Sequence, residues 1–125
     1  MINRPTTIDS ILTSTTERWP ERPFIHFEGQ SYSYGALMAD ADRMARGLIA
    51  LGTQPGDRVA LWMSNRIEWI IAQFAVTRLG AVLVPLNTRL RSVEISHMLR
   101  DSGSVALITQ HSADGFNYID VVREV

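Results

Sequence analysis

The spacing of apolar residues changes from segment to segment along this chain, and each change marks an element. Ile8, Ile11, Leu12 and Thr15 recur at i, i+3, i+4, i+7, one face of a helix that Thr6 or Thr7 can cap and Pro20 ends. Phe24 to Phe27 and Ser31 to Tyr34 are short β-like runs around Glu28-Gly29-Gln30, which reads as a hairpin turn, with the rings of Tyr32 and Tyr34 expected inside. From Gly35 to Leu51 the helical period returns, with Leu37, Ala41, Met44 and Leu48 inward and Gly52 past the end. Asp42 and Arg46, at i, i+4, are expected to pair on its solvated face.

A different pattern follows the Pro55-Gly56 turn signal. Val59 to Met63 is a continuous apolar run, as expected of a buried strand. Ser64 or Asn65 can cap a helix whose stripe is Ile67, Ile70, Ile71 and Phe74, and Gly80 supplies its stop. Ala81 to Val84 is a second buried strand closed by Pro85, so the two strands pair in parallel through a right-handed crossover. A shorter helix carries Ile95, Met98 and Leu99, with Glu94 in its first turn, where the helix dipole favours an anion. Asp101-Ser102-Gly103 ends it, and Val105 to Thr109 is a third buried strand. The last stripe, Tyr118, Val121, Val122 and Val125, reaches the terminus without a stop signal.

The predicted fold is therefore α/β: an N-terminal helix and β-hairpin over 6–34, a helix over 35–51, a three-stranded parallel β-α-β-α-β array over 58–109, and a truncated C-terminal helix over 117–125. Such a sheet is expected to leave an edge and part of a face uncovered, and Val121, Val122 and Val125 to need a surface. Both features suggest an incomplete part of a larger N-terminal domain, although 125 residues, 46% of them hydrophobic, suffice for one domain.

Several pieces within this frame carry a family pattern. They are Gly56-Asp57 with Val59-Ala60-Leu61, the N-x-x-E step at Asn65 and Glu68, Gly80-Ala81-Val82, and Pro85-Leu86-Asn87. The flanks add Ser33-Tyr34 followed by Leu37, and Glu94 followed by Leu99-Arg100-Asp101-Ser102-Gly103. In order and spacing, over nearly the whole chain, these resemble the adenylate-forming acyl-CoA synthetases. The resemblance implies an ATP-dependent reaction in which a carboxylic acid becomes an acyl-adenylate and coenzyme A then displaces AMP to give a thioester. It also implies magnesium, and a partner in the rest of the synthetase.

The same resemblance identifies what this chain lacks. The family's chemistry uses a Ser/Thr/Gly-rich phosphate loop with a lysine, a Thr-Glu pair near the magnesium, an aspartate on the ribose, and a lysine in a carboxy-terminal domain. The eight glycines here are scattered at positions 29, 35, 47, 52, 56, 80, 103 and 115. All twelve cationic side chains are arginine, and a planar guanidinium differs from a compact ammonium in reach, geometry and hydration. The chain alone is accordingly expected to be inactive, with no catalytic residue, no metal ligand and no tightly bound cofactor of its own.

In open α/β sheets ligands bind beyond the carboxyl ends of the strands, which points to Ser64-Asn65, Leu86 to Arg89 and Thr109 to His111. Asn87-Thr88-Arg89-Leu90 resembles the N-P-R-L loop whose arginine, in some acyl-CoA ligases, contacts a phosphate of the coenzyme A nucleotide, with threonine replacing proline. Arg89 is the candidate cofactor-binding residue, and Arg91 is a weaker substitute. Asn65 and Asn87 read as structural, capping or bonding their own backbone. His26, His97 and His111 show no metal-ligand spacing, and the three tryptophans read as packing or surface residues.

A net charge of −1 with no Lys/Arg run argues against nucleic acid, and the absence of a roughly 20-residue apolar segment argues against a membrane span. Without an N-terminal apolar h-region, the chain is expected to be cytoplasmic. Zero cysteine excludes disulfides and thiolate metal sites within it. Two alternatives remain: a non-catalytic, stand-alone interaction module built on the ligase scaffold, and a dinucleotide-binding half. The second is disfavoured because S-N-R-I-E-W, not G-x-G-x-x-G, follows the first parallel strand.

Overall fold

A computed structural model describes residues 6–125. Helix α1 (Ile8–Arg18) is capped by Thr7, whose side chain accepts the Ser10 backbone N–H while the Ser10 hydroxyl accepts the Thr7 N–H. Strands β1 (Pro23–Phe27) and β2 (Gln30–Ser33) form the expected hairpin, although Gln30 pairs with Phe27 as part of β2. Tyr34 is not in the strand. It opens α2 (Tyr34–Ala50), because the Ser33 hydroxyl accepts the Ala36 N–H and caps the helix there. The Tyr32 and Tyr34 rings are only half-buried. Tyr34 stacks on Phe24 at 4.3 Å, and Phe24 on Phe74 at 5.7 Å.

The parallel array is present as expected: β3 (Arg58–Trp62), α3 (Ile67–Arg78), β4 (Val82–Pro85), α4 (Ser92–Ser102) and β5 (Ala106–Thr109). The strand order is β4-β3-β5, so the first strand is the central one. Its period of two explains the layers. Val59, Leu61 and Met63 point to one face, where they meet Leu48 of α2 and Ala72 and Val76 of α3. Ala60 and Trp62 point to the other, where they meet Ile95 of α4.

Three further elements close that second face. Residues Ser112–Ala113 and Phe116–Asn117 form a second hairpin, β6 and β7, which the sequence reading missed, and α5 (Tyr118–Glu124) follows it. Tyr118, Val121 and Val122 pack on the Trp62 cluster. This corrects the expectation that the stripe lacks a surface and that the face lies open. Only Val125, 49% exposed, stays out.

The stripe expected on α3 is also corrected. Its most buried residues are Ile71, Ala72, Ala75 and Val76, while Ile67, Ile70 and Phe74 are half-buried on another side. The helix is apolar nearly all round because it is covered on several sides, by α2, by the sheet through Ala72 and Val76, and by the first hairpin through Phe74. On α1, Ile8 (53% exposed) and Ile11 (56%) are open to solvent, and only Leu12 is buried. Met98 on α4 is exposed, and β4 and β5 are half-buried as edge strands, not buried as expected, with Val82 50% exposed.

Asp42 does not pair with Arg46. It turns instead to Arg78 of α3, which also donates to Asp9 of α1 and to the Thr13 hydroxyl, both at 3.2 Å. One guanidinium thus joins three helices. Gly80 has φ +78° after α3, the left-handed conformation the sequence assigned to it, and the Gly80 carbonyl accepts the Gly56 N–H at 2.9 Å. No described helix is long and apolar enough to cross a membrane.

Candidate functional site

The site follows from the topology. From β3 the chain crosses to β4 on one side, then passes over β3 to β5 on the other, so α3 and α4 lie on opposite faces. The loops leaving the three strands all open at the carboxyl edge of the sheet, where open α/β folds bind ligands. An open cleft of about 530 Å3 lies there, lined by Ser64 and Asn65 after β3, Thr88 after β4, Ala113 and Asp114 of the second hairpin, and Glu28 of the first.

The three predicted segments do meet at this edge, tied by side chains at least as much as by strands. Gln110, 5% exposed, accepts both the Ser64 backbone N–H at 3.1 Å and the Ser64 hydroxyl at 3.0 Å. Thr109 donates its hydroxyl to the Trp62 carbonyl at 2.6 Å. The Trp62 indole N–H donates to the Asn87 carbonyl at 3.0 Å. Pairing by Ser64 fixes the Gln110 amide orientation, leaving Nε2 buried without a partner among the described residues.

Neither Ser64 nor Asn65 caps α3, contrary to expectation. Ser64 is held by Gln110, Arg66 stays extended as the N-cap residue without a side-chain capping bond, and the helix starts at Ile67. Arg66 donates to Glu68 at 2.8 Å and 3.3 Å. The Arg66 hydrogen bond holds the Glu68 carboxyl below its ordinary range, against burial, and the same bond raises Arg66.

Around β4 the expectations for Asn87 hold. Its carboxamide oxygen accepts the Arg89 backbone N–H at 2.9 Å, a turn closed by its own side chain. Arg89 is exposed, and its guanidinium makes no hydrogen bond or ion pair within the described residues. Arg91 differs, in that part of its guanidinium is already engaged. Its Nη1 donates to the carbonyls of Leu90 (2.9 Å), Arg89 (3.0 Å) and Thr88 (3.3 Å), and its guanidinium lies 4.4 Å over the Phe116 ring. The Arg91 backbone N–H donates to Glu94 at 3.0 Å, in the first turn where the sequence placed that carboxylate.

The histidines lie apart. His26 Nδ1 is 2.6 Å from the hydroxyl of Ser31, its cross-strand neighbour, while His97 and His111 are exposed. No group of three His, Cys, Asp or Glu able to hold a metal occurs among the described residues. Sequence reasoning included Gln110 in a candidate segment but missed its bonds to Ser64, and it missed the role of Trp62 and the second hairpin. Asp114-Gly115, with φ +50° and +77°, was a legible turn signal for the last of these.

This architecture is that of an adenylate-forming N-terminal subdomain, and comparison with known proteins gives the family. The sequence pattern of the AMP-binding enzymes matches residues 12–125, and the chain belongs to that family. It is 35% identical, over 95% of its length, to a salicyl-AMP ligase / salicyl-S-ArCP synthetase of Mycobacterium tuberculosis. A mitochondrial medium-chain acyl-CoA ligase of Danio rerio is 30% identical over 95% of the chain. The O-succinylbenzoate coenzyme A synthetase of Bacillus subtilis, solved with AMP, superposes with a TM-score of 0.78 at 33% identity, over 90% of this chain and 29% of that one. The chain spans 22% and 20% of the two curated relatives.

Proposed function

We propose that this chain is the amino-terminal part of a cytoplasmic, ATP- and magnesium-dependent, AMP-forming carboxylic acid:coenzyme A ligase, in which it supplies scaffold and one nucleotide contact. The acid is activated as its adenylate by residues elsewhere in the synthetase, and coenzyme A takes the acyl group. Lysine and a glycine-rich phosphate loop are absent from these 125 residues, so the chain alone is inactive. The observation that carries the coenzyme A assignment is the Arg89 guanidinium, exposed on the loop at the carboxyl end of β4 and without a hydrogen bond or ion pair among the described residues, on a turn closed by Asn87.

A carrier-protein thiol is the competing acceptor, since the salicyl-AMP ligase relative is also named as an S-ArCP synthetase. The two readings separate in one experiment on the complete synthetase. Arg89→Ala raises the KM for coenzyme A about tenfold, equivalent to roughly 1.4 kcal/mol, and leaves acid-dependent ATP–pyrophosphate exchange unchanged. An unchanged KM, or an equal fall in both half-reactions, contradicts the assignment. The stand-alone module loses its motivating feature, because α5 is already spent on the Trp62 cluster.

A further inference from the structure

Arg91 lies two residues beyond the candidate contact and is itself exposed, yet its Nη1 points back into the chain. All four carbonyls from Asn87 to Leu90 are engaged. Asn87 accepts from the Trp62 indole at 3.0 Å and from the Leu90 N–H at 3.1 Å, and the next three accept from Arg91 Nη1. These two donors are joined on their far sides. The Arg91 guanidinium stacks on Phe116, whose ring meets Trp62 edge-on at 6.1 Å and Tyr118 at 4.9 Å. Trp62 and Tyr118 are buried in the same cluster. The result is a closed circuit from Trp62 through the loop to Arg91, to Phe116 and back to Trp62.

Within this circuit the carbonyls are drawn toward donors, the Arg89 amide is held by Asn87, and the Arg89 guanidinium is left outside. We infer that Arg91 is a positioning residue, a clamp that fixes the backbone of residues 87–90 so that the Arg89 guanidinium is presented to a phosphate. The inference rests on the reading of Arg89 as a nucleotide-phosphate contact. A guanidinium suits the task because it offers a flat face to the aromatic ring while its in-plane N–H groups reach the carbonyls. Lysine has the charge without the plane. The Glu94 carboxylate holds the Arg91 backbone N–H, so the side chain that clamps is anchored at its own root.

The test is site-resolved amide hydrogen exchange on the 125-residue chain, with Arg91→Lys and Phe116→Leu compared with the parent. Both variants are expected to speed exchange of the Arg89 and Leu90 amides at least tenfold. The Val105 amide, bonded to the Arg58 carbonyl across the sheet, keeps its protection. Equal acceleration at all three amides, or none at Arg89 and Leu90 in both variants, overturns the clamp. A parallel titration with adenosine 3′,5′-bisphosphate, followed at the Arg89 side-chain Nε–H signal, is expected to need at least fivefold more ligand in Arg91→Lys. If the parent shows no perturbation, the phosphate reading of Arg89 fails and presentation of a phosphate contact fails with it. Exchange still decides whether Arg91 holds the loop.

Discussion

At the residue scale, one side chain often does the work of several expected contacts. Arg78 gathers Asp9, Thr13 and Asp42, so Arg78→Met, which keeps the packing stem, is expected to cost about 1.5–3 kcal/mol in urea unfolding. A loss below about 0.5 kcal/mol rules out a three-helix tie. Trp62 separates packing from polarity. Trp62→Phe keeps much of the ring and gives up the bond to Asn87, so the Arg89 and Leu90 amides should exchange faster than the loss of global stability explains. The Arg66–Glu68 pair is largely exposed, so it contributes less than about 1 kcal/mol. Its sign is still defined. The Glu68 pKa is lowered in the folded state, so this stability is present above the ordinary value of 4.5 and is lost as pH falls through the lower folded value. Glu68→Gln should therefore destabilise slightly at pH 7, and progressively less as pH falls below the ordinary carboxylate range, as read from paired thermal melts. These partnerships were not legible in the sequence, because Asp42 has an arginine at i+4 and its actual partner lies 36 positions away (78 − 42).

At the element scale, legibility depended on how many sides an element buries. Strand β3 was readable because a strand covered on both faces is a continuous apolar run, and its neighbours follow from crossover geometry. Helix α3 was recognised as a helix, but its face was misassigned because cover on several sides leaves no polar side to orient it. The stop of α3 was readable, since Gly80 is the residue its backbone demands. Gly80→Ala is expected to cost about 1–2 kcal/mol from the strain of φ +78°, since the added Cβ meets only an ordinary contact 3.5 Å from the Pro55 Cβ. A stability change near zero means that the α3–β4 turn relaxes at no cost. The missed second hairpin shows the opposite limit, two residues per strand being too short for any period.

At the scale of the whole molecule, two apolar layers enclose a three-stranded parallel sheet, and the loops at one end converge on a cleft. The segments of that site were legible because the rule that ligands bind beyond the carboxyl ends of strands needs only strand ends. The bonds among them were not, since Gln110 and Ser64 are 46 residues apart and neither belongs to a periodic pattern. The family pattern spans 12–125, while the chain covers about a fifth of its curated relatives. The central claim is that these residues build and position but do not activate. The most direct measurement is ATP–pyrophosphate exchange by the purified chain across aliphatic, aryl and amino acids with magnesium present. The account predicts no acid-dependent exchange above background, and clear acid-dependent exchange by these 125 residues would contradict it.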